Sequence, residues 1–292
     1  MKSWIATGFL LIATAAVAGN ESLRIAALGQ LRAIAEPLFE RGQSTEPSFD
    51  GFYAAMVEEL PPQARAERAL ELSINRFAGA SEYVIQHAQS WRGQIEINPR
   101  LTTLITTAIN APLIEIRMAG FEMHLAEYNL EKSPQEVDRL IDRLVADPQD
   151  AGPWALWSMA LIGARGVDRE RVFDELLLAI DHPEIHVRRW AVESLAKFGG
   201  MEVIEPLLAI AVEDSSAIVR ERAFCGLAQS GTLHVAERYG AIPGLLAIAE
   251  HPQSQPQTLE WTYQALREIS NVHEVSDDPA AWRNLLADLK LL

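Results

Sequence analysis

One phrase occurs twice in this chain, 32 positions apart: VRRWAVESLAKFG from Val187 to Gly199 and VRERAFCGLAQSG from Val219 to Gly231. Both read V-R-x-x-A-x-x-x-L-A-x-x-G. Self-similarity at a fixed spacing marks a stack of short units, none of which buries its apolar face alone, and such stacks usually serve as binding surfaces. Turning about 100° per residue from Val187 places Val187, Ala191, Ser194, Leu195 and Phe198 in one stripe and Arg189 and Glu193 opposite. The phrase is therefore an amphipathic helix, with Ala191, Leu195, Ala223 and Leu227 expected in the packing seam and Glu193 expected on the outer face. Gly199 and Gly231 fall just past the last apolar residue, where a left-handed conformation closes a helix without Cβ strain.

A second phrase recurs between these helices. Leu177–Ile180, Leu207–Ile210 and Leu245–Ile248 all read LLAI, spaced by 30 and then 38 residues, so each unit is a helix pair. The V-R helix is taken as the first of each pair and the LLAI helix as the second. The entry repeats as well: Pro183 to Arg188 and Pro112 to Arg117 share P-x-x-x-[VI]-R, and Asp214 to Arg220 keeps the spacing with Ser215 in the proline slot.

These turns, the V-R helix and the A-x-x-x-L line resemble HEAT-repeat proteins of the short bacterial kind. The resemblance is clearest over residues 170–272, weaker from Asn98 to Gly166 and absent before Ala64. It implies an all-α fold, an α-solenoid of stacked antiparallel helix pairs over 64–292, closed by a C-terminal capping helix in 277–292. It also implies that Arg188 and Arg220, the recurring arginines, bridge neighbouring turns with Asp181 and Asp214 as their partners. The capping helix has its own physical start, with Asp278 at the N-cap and Pro279 at the first helical position.

Upstream, Asn98-Pro99 and Ser133-Pro134-Gln135-Glu136 are cap-plus-proline starts, the latter also a capping box, and Gly152-Pro153 opens a helix with Trp154, Trp157 and Leu161. No period-two alternation argues for a strand. Residues 21–36 read as an amphipathic helix and 42–51 as a linker, so 19–63 form N-terminal helices and a linker outside the array. Residues 1–18 read as a signal peptide, with one Lys2, an apolar run from Trp4 to Val17 and the small-x-small site Ala16-Val17-Ala18. The run is shorter than the ~20 residues of a spanning helix, so cleavage before Gly19 is expected over a retained anchor. Export to the periplasm or medium follows, with no stable membrane insertion after the leader is removed; the alternative is an N-terminal anchor.

The lone Cys225 forbids an intrachain disulfide and occupies the slot held by Glu193 one unit earlier. The formal net charge is −15, and without Lys2 the chain has 24 basic against 40 acidic residues, or −16. Phosphate-backbone binding needs clustered cations, which disfavours nucleic acid; the charge favours a protein or peptide partner, basic or neutral.

No nucleophile elbow, Gly-rich phosphate loop or Cys-His spacing is present, so no catalytic residue, metal site or cofactor is assigned. His182 and His186 have helical metal-ligand spacing, but Pro183 interrupts it, and His124 near Glu122 and Glu127 reads as a structural histidine. HEAT-like iron hydroxylases carry several His-Glu pairs, whereas this chain has His273-Glu274 alone. The expected function is a non-enzymatic protein-interaction scaffold of the cell envelope; the alternatives are an enzyme like the HEAT-like bilin lyases and a purely structural envelope protein. Two partner-binding sets are expected. Aligning on Leu195, Leu227 and Leu266 puts Trp190, Arg222 and Trp261 in one slot, where the arginine would stack between two indoles. By resemblance the second helix of a pair lines the concave side, so Glu175 and Glu205, in one LLAI slot, with Glu202 and Glu213 would make an acidic groove.

Overall fold

A computed structural model describes residues 48, 49, 51–289 and 291. The leader, the expected helix 21–36 and residues 42–47 and 50 of the linker 42–51 lie outside the described residues. The chain divides into two compact units after Ser48, and the second, Phe49–Leu292, holds the repeats.

Its helices are α1 Gly51–Glu58, α2 Pro62–Ile74, α3 Ala80–Trp91, α4 Pro99–Ile109, α5 Ile114–Glu127, α6 Pro134–Ala146, α7 Gly152–Gly163, α8 Arg169–Ile180, α9 Ile185–Phe198, α10 Ile204–Glu213, α11 Ala217–Ala228, α12 Val235–Tyr239, α13 Ile242–Glu250, α14 Pro256–Ser270 and α15 Pro279–Asp288. A 3₁₀ turn, Met201–Val203, leads into α10, and no strand occurs among the described residues. Proline-led starts work as the sequence implies: Asn98 Oδ1 accepts from Leu101 N at 2.9 Å, Ser133 Oγ from Glu136 N at 3.3 Å and Asp278 Oδ2 from Ala281 N at 2.8 Å. The reciprocal half of the Ser133 box does not form, because the Glu136 carboxylate turns instead to Arg139 Nη1 at 2.7 Å.

Packing makes this an α-solenoid. Its hairpins are α2–α3, α4–α5, α6–α7, α8–α9, α10–α11 and α13–α14. The LLAI helices α8, α10 and α13 are thus the first of each pair and the V-R helices α9 and α11 the second, the reverse of the expected order. The chain makes its tight turn after LLAI, where four residues join α8 to α9. From α7 onward the second helices α7, α9, α11 and α14 pack on one another in series, whereas α6, α8 and α10 make no comparably close approach. The stack therefore converges on its second helices and fans apart on its first. Helix α15 packs on α13, where the next first helix belongs, so the cap is half a repeat.

Two apolar cores meet on α5. Ile116, Ala119, Met123 and Ala126 belong to the core of α1–α5, Phe121 and Leu125 to that of α6–α15. Helix α5 buries eleven of its fourteen residues, including Glu122, His124 and Glu127.

The recurring arginine has a backbone role common to its three occurrences. Arg117, Arg188 and Arg220 each donate Nη1 to the carbonyl six residues back, Ala111, His182 and Asp214, at 3.1, 3.0 and 2.7 Å. Each clamps the turn that enters its own helix. Arg188 alone also reaches the next unit, with Nε 2.8 Å from Asp214 Oδ2. Asp214 is therefore the carboxylate of the preceding unit's arginine, and the expected use of Asp181 is not found: it lies exposed beside the turn that Arg188 clamps. Gly199 and Gly231 are left-handed as expected, at φ 66° and 81°. They also permit a close approach: Thr232 N donates to Ala196 O at 2.9 Å, docking the end of α11 on the end of α9, and a Cβ on Gly231 would run into Ala196 O.

Candidate interaction surface

The second helices carry a common burial register. Trp190, Arg222 and Trp261 are half-buried, as are Glu193 and Cys225 one turn on, while Gln264 is exposed. Helix α7 joins the row: matching Gly163 to Gly199 puts Trp154 opposite Trp190 and Trp157 opposite Glu193, and both are half-buried against the same core. The extra slot escaped the sequence pattern because α7 starts at Gly152-Pro153 and lacks the V-R signature. Its Trp154 lies 5.6 Å from the Tyr128 ring and 4.9 Å from the Arg143 guanidinium; Trp157 packs edge-on to Phe121 and His124.

The expected indole–arginine–indole stack does not form. Arg222 Nη1 lies 3.1 Å from Glu193 Oε2, while Trp190 meets His186 and Arg189 and Trp261 meets Phe224. Glu193 wins the arginine because it is not on the outer face as expected: its side chain is 19% exposed and its other oxygen is 2.6 Å from Lys197 Nζ, itself 8% exposed. Burial would raise the Glu193 carboxyl, but Lys197, Arg222 and Arg189 override this and set it below the usual carboxylate range.

The acidic set is not brought together as a groove. Glu175 is half-buried on α8, and Glu205 and Glu213 are exposed on α10, both helices being on the fanned side of the stack. Because the LLAI helices come first in each pair, the resemblance no longer assigns these carboxylates to a concave side. Glu202 is already used: Arg169 Nε and Nη2 reach its Oε1 at 2.9 and 2.6 Å, and the same guanidinium caps Gly199 O and stacks 4.0 Å from the Phe198 ring. Similar bridges tie residues 33 apart on neighbouring first helices, Arg171 to Asp138 and Arg283 to Glu250.

Other titratable groups serve structure. His124 is 5% exposed, its Nε2 has no hydrogen-bond partner, and burial pushes its pKa down to about 3. Glu122, 2% exposed, is paired with Lys132 at 3.0 Å and Arg165 at 2.7 Å, while burial raises the Glu127 carboxyl against a bond from Thr102. His182 Nδ1 accepts from Glu184 N at 3.1 Å, and no three His, Cys, Asp or Glu among the described residues are placed to share a metal. Burial pushes the Cys225 thiol up. None of the described helices is long and apolar enough to cross a membrane.

A family model described as HEAT repeats matches residues 137–228, from α6 to the end of α11. This stretch has HEAT-repeat character. The match opens on a first helix and closes on a second, in the pairing that the packing shows. Such repeats are generally protein-interaction scaffolds and typically non-enzymatic. The chain matches no curated protein.

Proposed function

We propose that this chain is a non-enzymatic scaffold of the cell envelope that binds a protein or peptide along α7, α9, α11 and α14. The observation that carries the reading is the register: Trp154, Trp190 and Trp261 fill one slot of a row whose other member is Arg222, on helices that stack consecutively. Tryptophan and arginine dominate binding hot spots, and a regular row suits an extended partner. The envelope location rests on the leader-like residues 1–18, and the preference for a basic or neutral partner on the net charge of −15. Glu205 and Glu213, exposed on the other layer, act at long range, by attraction rather than contact.

Capture from envelope extract tests the row. Trp190→Ala and Trp261→Ala should each weaken capture strongly, whereas Glu205→Gln with Glu213→Gln should leave it within about twofold at physiological salt. Both indoles also pack against the core, which favours a second role in sealing repeat against repeat. Loss of capture that merely tracks a lowered melting temperature would make sealing their whole role. Amino-terminal sequencing of the exported protein should begin at Gly19; an intact Met1 on a membrane-bound product would overturn the leader.

A further inference from the structure

The grooves between consecutive second helices are built alike but charged differently. On α9, cations gather on one acid: Lys197 Nζ, which lies 6.0 Å over the Phe121 ring of α5, is 2.6 Å from Glu193, Arg222 Nη1 of α11 is 3.1 Å from it, and Arg189 also lowers that carboxyl. That acid is paired with the chain's own basic heads. One unit on, between α11 and α14, every one of those positions has changed. The 32-residue spacing of the V-R phrase takes Arg189 to Glu221, Glu193 to Cys225 and Lys197 to Gln229; the Leu227–Leu266 alignment takes Arg222 to Trp261. Those positions carry no cation on the walls of this groove, although Arg222 still acts on the Cys225 thiol, and a slot of about 60 Å³ opens, lined by Glu221, Phe224, Cys225, Trp261, Gln264 and Ala265 among others. By the space one water needs, it has room for about four. That is the scale of one side-chain head, not of a cofactor.

Glu221 is exposed, is the only charged residue lining the slot, and makes no ion pair among the described residues. The walls beside it are aromatic, Phe224 and Trp261 with centroids 6.1 Å apart. An aliphatic stem lies well on such walls, and a cation gains from both the indole face and the carboxylate.

We infer that the α11–α14 slot receives one arginine or lysine side chain of the partner, its stem against Trp261 and Phe224 and its head at Glu221. The inserted head would meet a carboxylate one turn before Cys225, the position that Glu193 holds one groove earlier. This rests on the scaffold reading and names the feature of the partner that the surface recognises.

An acetylated, amidated tetra-arginine peptide is the probe, titrated into the isotope-labelled full chain at physiological salt. Shifts should concentrate on the Trp261 indole N–H and the Cys225 and Gln264 amides. Glu221→Gln, at an exposed position, should weaken the site roughly tenfold, the loss of one charge-assisted contact. Glu205→Gln with Glu213→Gln should leave it unchanged, and a tetra-glutamate peptide should not bind. Shifts spread over the first helices, or equal weakening by both sets of variants, would reduce the binding to general attraction and overturn the slot. Wild-type capture from extract that survives Glu221→Gln but is lost in Trp190→Ala would also overturn the slot while keeping the scaffold. Peptide binding at the slot with no captured partner would support the slot and leave the scaffold reading to fail alone.

Discussion

The two layers of the stack are joined by different forces. Second helices meet through fully buried residues, among them Leu195, Ala191, Ala223 and Leu227, and through polar groups sealed with them, such as Glu193 with Lys197. First helices α6, α8 and α10 fan apart and are tied by surface ion pairs such as Arg171 with Asp138. Burial is worth kilocalories per side chain and an exposed ion pair only tenths. Contacts between second helices should therefore be costly to change, whereas the surface ties between first helices should tolerate substitution, although both layers send fully buried side chains such as Leu176 and Leu207 into the shared core.

The largest effect should come from Leu195→Asp, which puts a carboxylate where the side chain is fully buried. It should cost more than about 4 kcal/mol in denaturant unfolding, and a chain that no longer folds cooperatively would agree. A cost under about 1 kcal/mol would mean that α9 turns another face to the core.

Acid should unfold the protein partly through His124. Its pKa is about 3 in the folded chain against 6.5 unfolded, so below pH 6.5 the unfolded state takes up a proton that the native state refuses. Stability is fully present above that value and falls as pH drops towards 3, by about 3 kcal/mol between pH 7 and pH 4 from this group. The Glu122 carboxylate on the same helix is committed to Lys132 and Arg165 and offers the imidazole no rescue. Unfolding measured across that range should be distinctly flatter in His124→Phe, and an unchanged pH slope would mean that His124 contributes nothing to acid unfolding.

Glu193→Ala separates the two layers in a residue whose position the sequence misplaces. A wheel drawn for one helix turns it outward; a neighbouring helix and Lys197 cover it. Removing it leaves Lys197 nearly buried without its carboxylate, at a cost of about 2 kcal/mol, and Lys197→Met in the same chain should recover most of that. Because the Glu193 carboxyl sits below its usual range, its contribution is present above the unfolded carboxylate pKa and fades as pH falls through the folded one. A change under about 0.5 kcal/mol at pH 7 would restore the outward reading.

How much was legible depends on how local each signal is. The caps at Asn98, Ser133 and Asp278, the left-handed Gly199 and the buried Leu195 depend on a few neighbours in sequence, and they stand as expected except that the Ser133 box forms only its first half. The order of the pairs did not, because V-R after LLAI and LLAI after V-R read identically in a periodic string; only the packing of α8 on α9 separates them. Helix α5 hides for another reason: with both faces buried it has no amphipathic contrast to read. In the candidate surface, the slot alignment put Trp190, Arg222 and Trp261 at one level, and all three are half-buried on second helices that stack in series. It missed that Arg222 prefers Glu193, since the preference depends on a carboxylate 29 residues away being walled in by Lys197.

The smallest effect belongs to the first layer. Glu250→Gln breaks the tie between α13 and α15, in which Arg283 Nε approaches Glu250 Oε1 at 2.8 Å with side chains 56% and 33% exposed. In water such a pair loses in side-chain ordering most of what it gains in attraction, so the change should be below about 0.5 kcal/mol and should vanish in high salt. The result still discriminates, because α15 also buries Trp282, Leu285 and Leu286 against the core. If burial fastens the cap, Glu250→Gln should leave the melting temperature nearly unchanged while Trp282→Ala lowers it by several degrees. Should the order reverse, the ties 33 residues apart, and not the convergent second layer, would be what keeps the end of the stack closed.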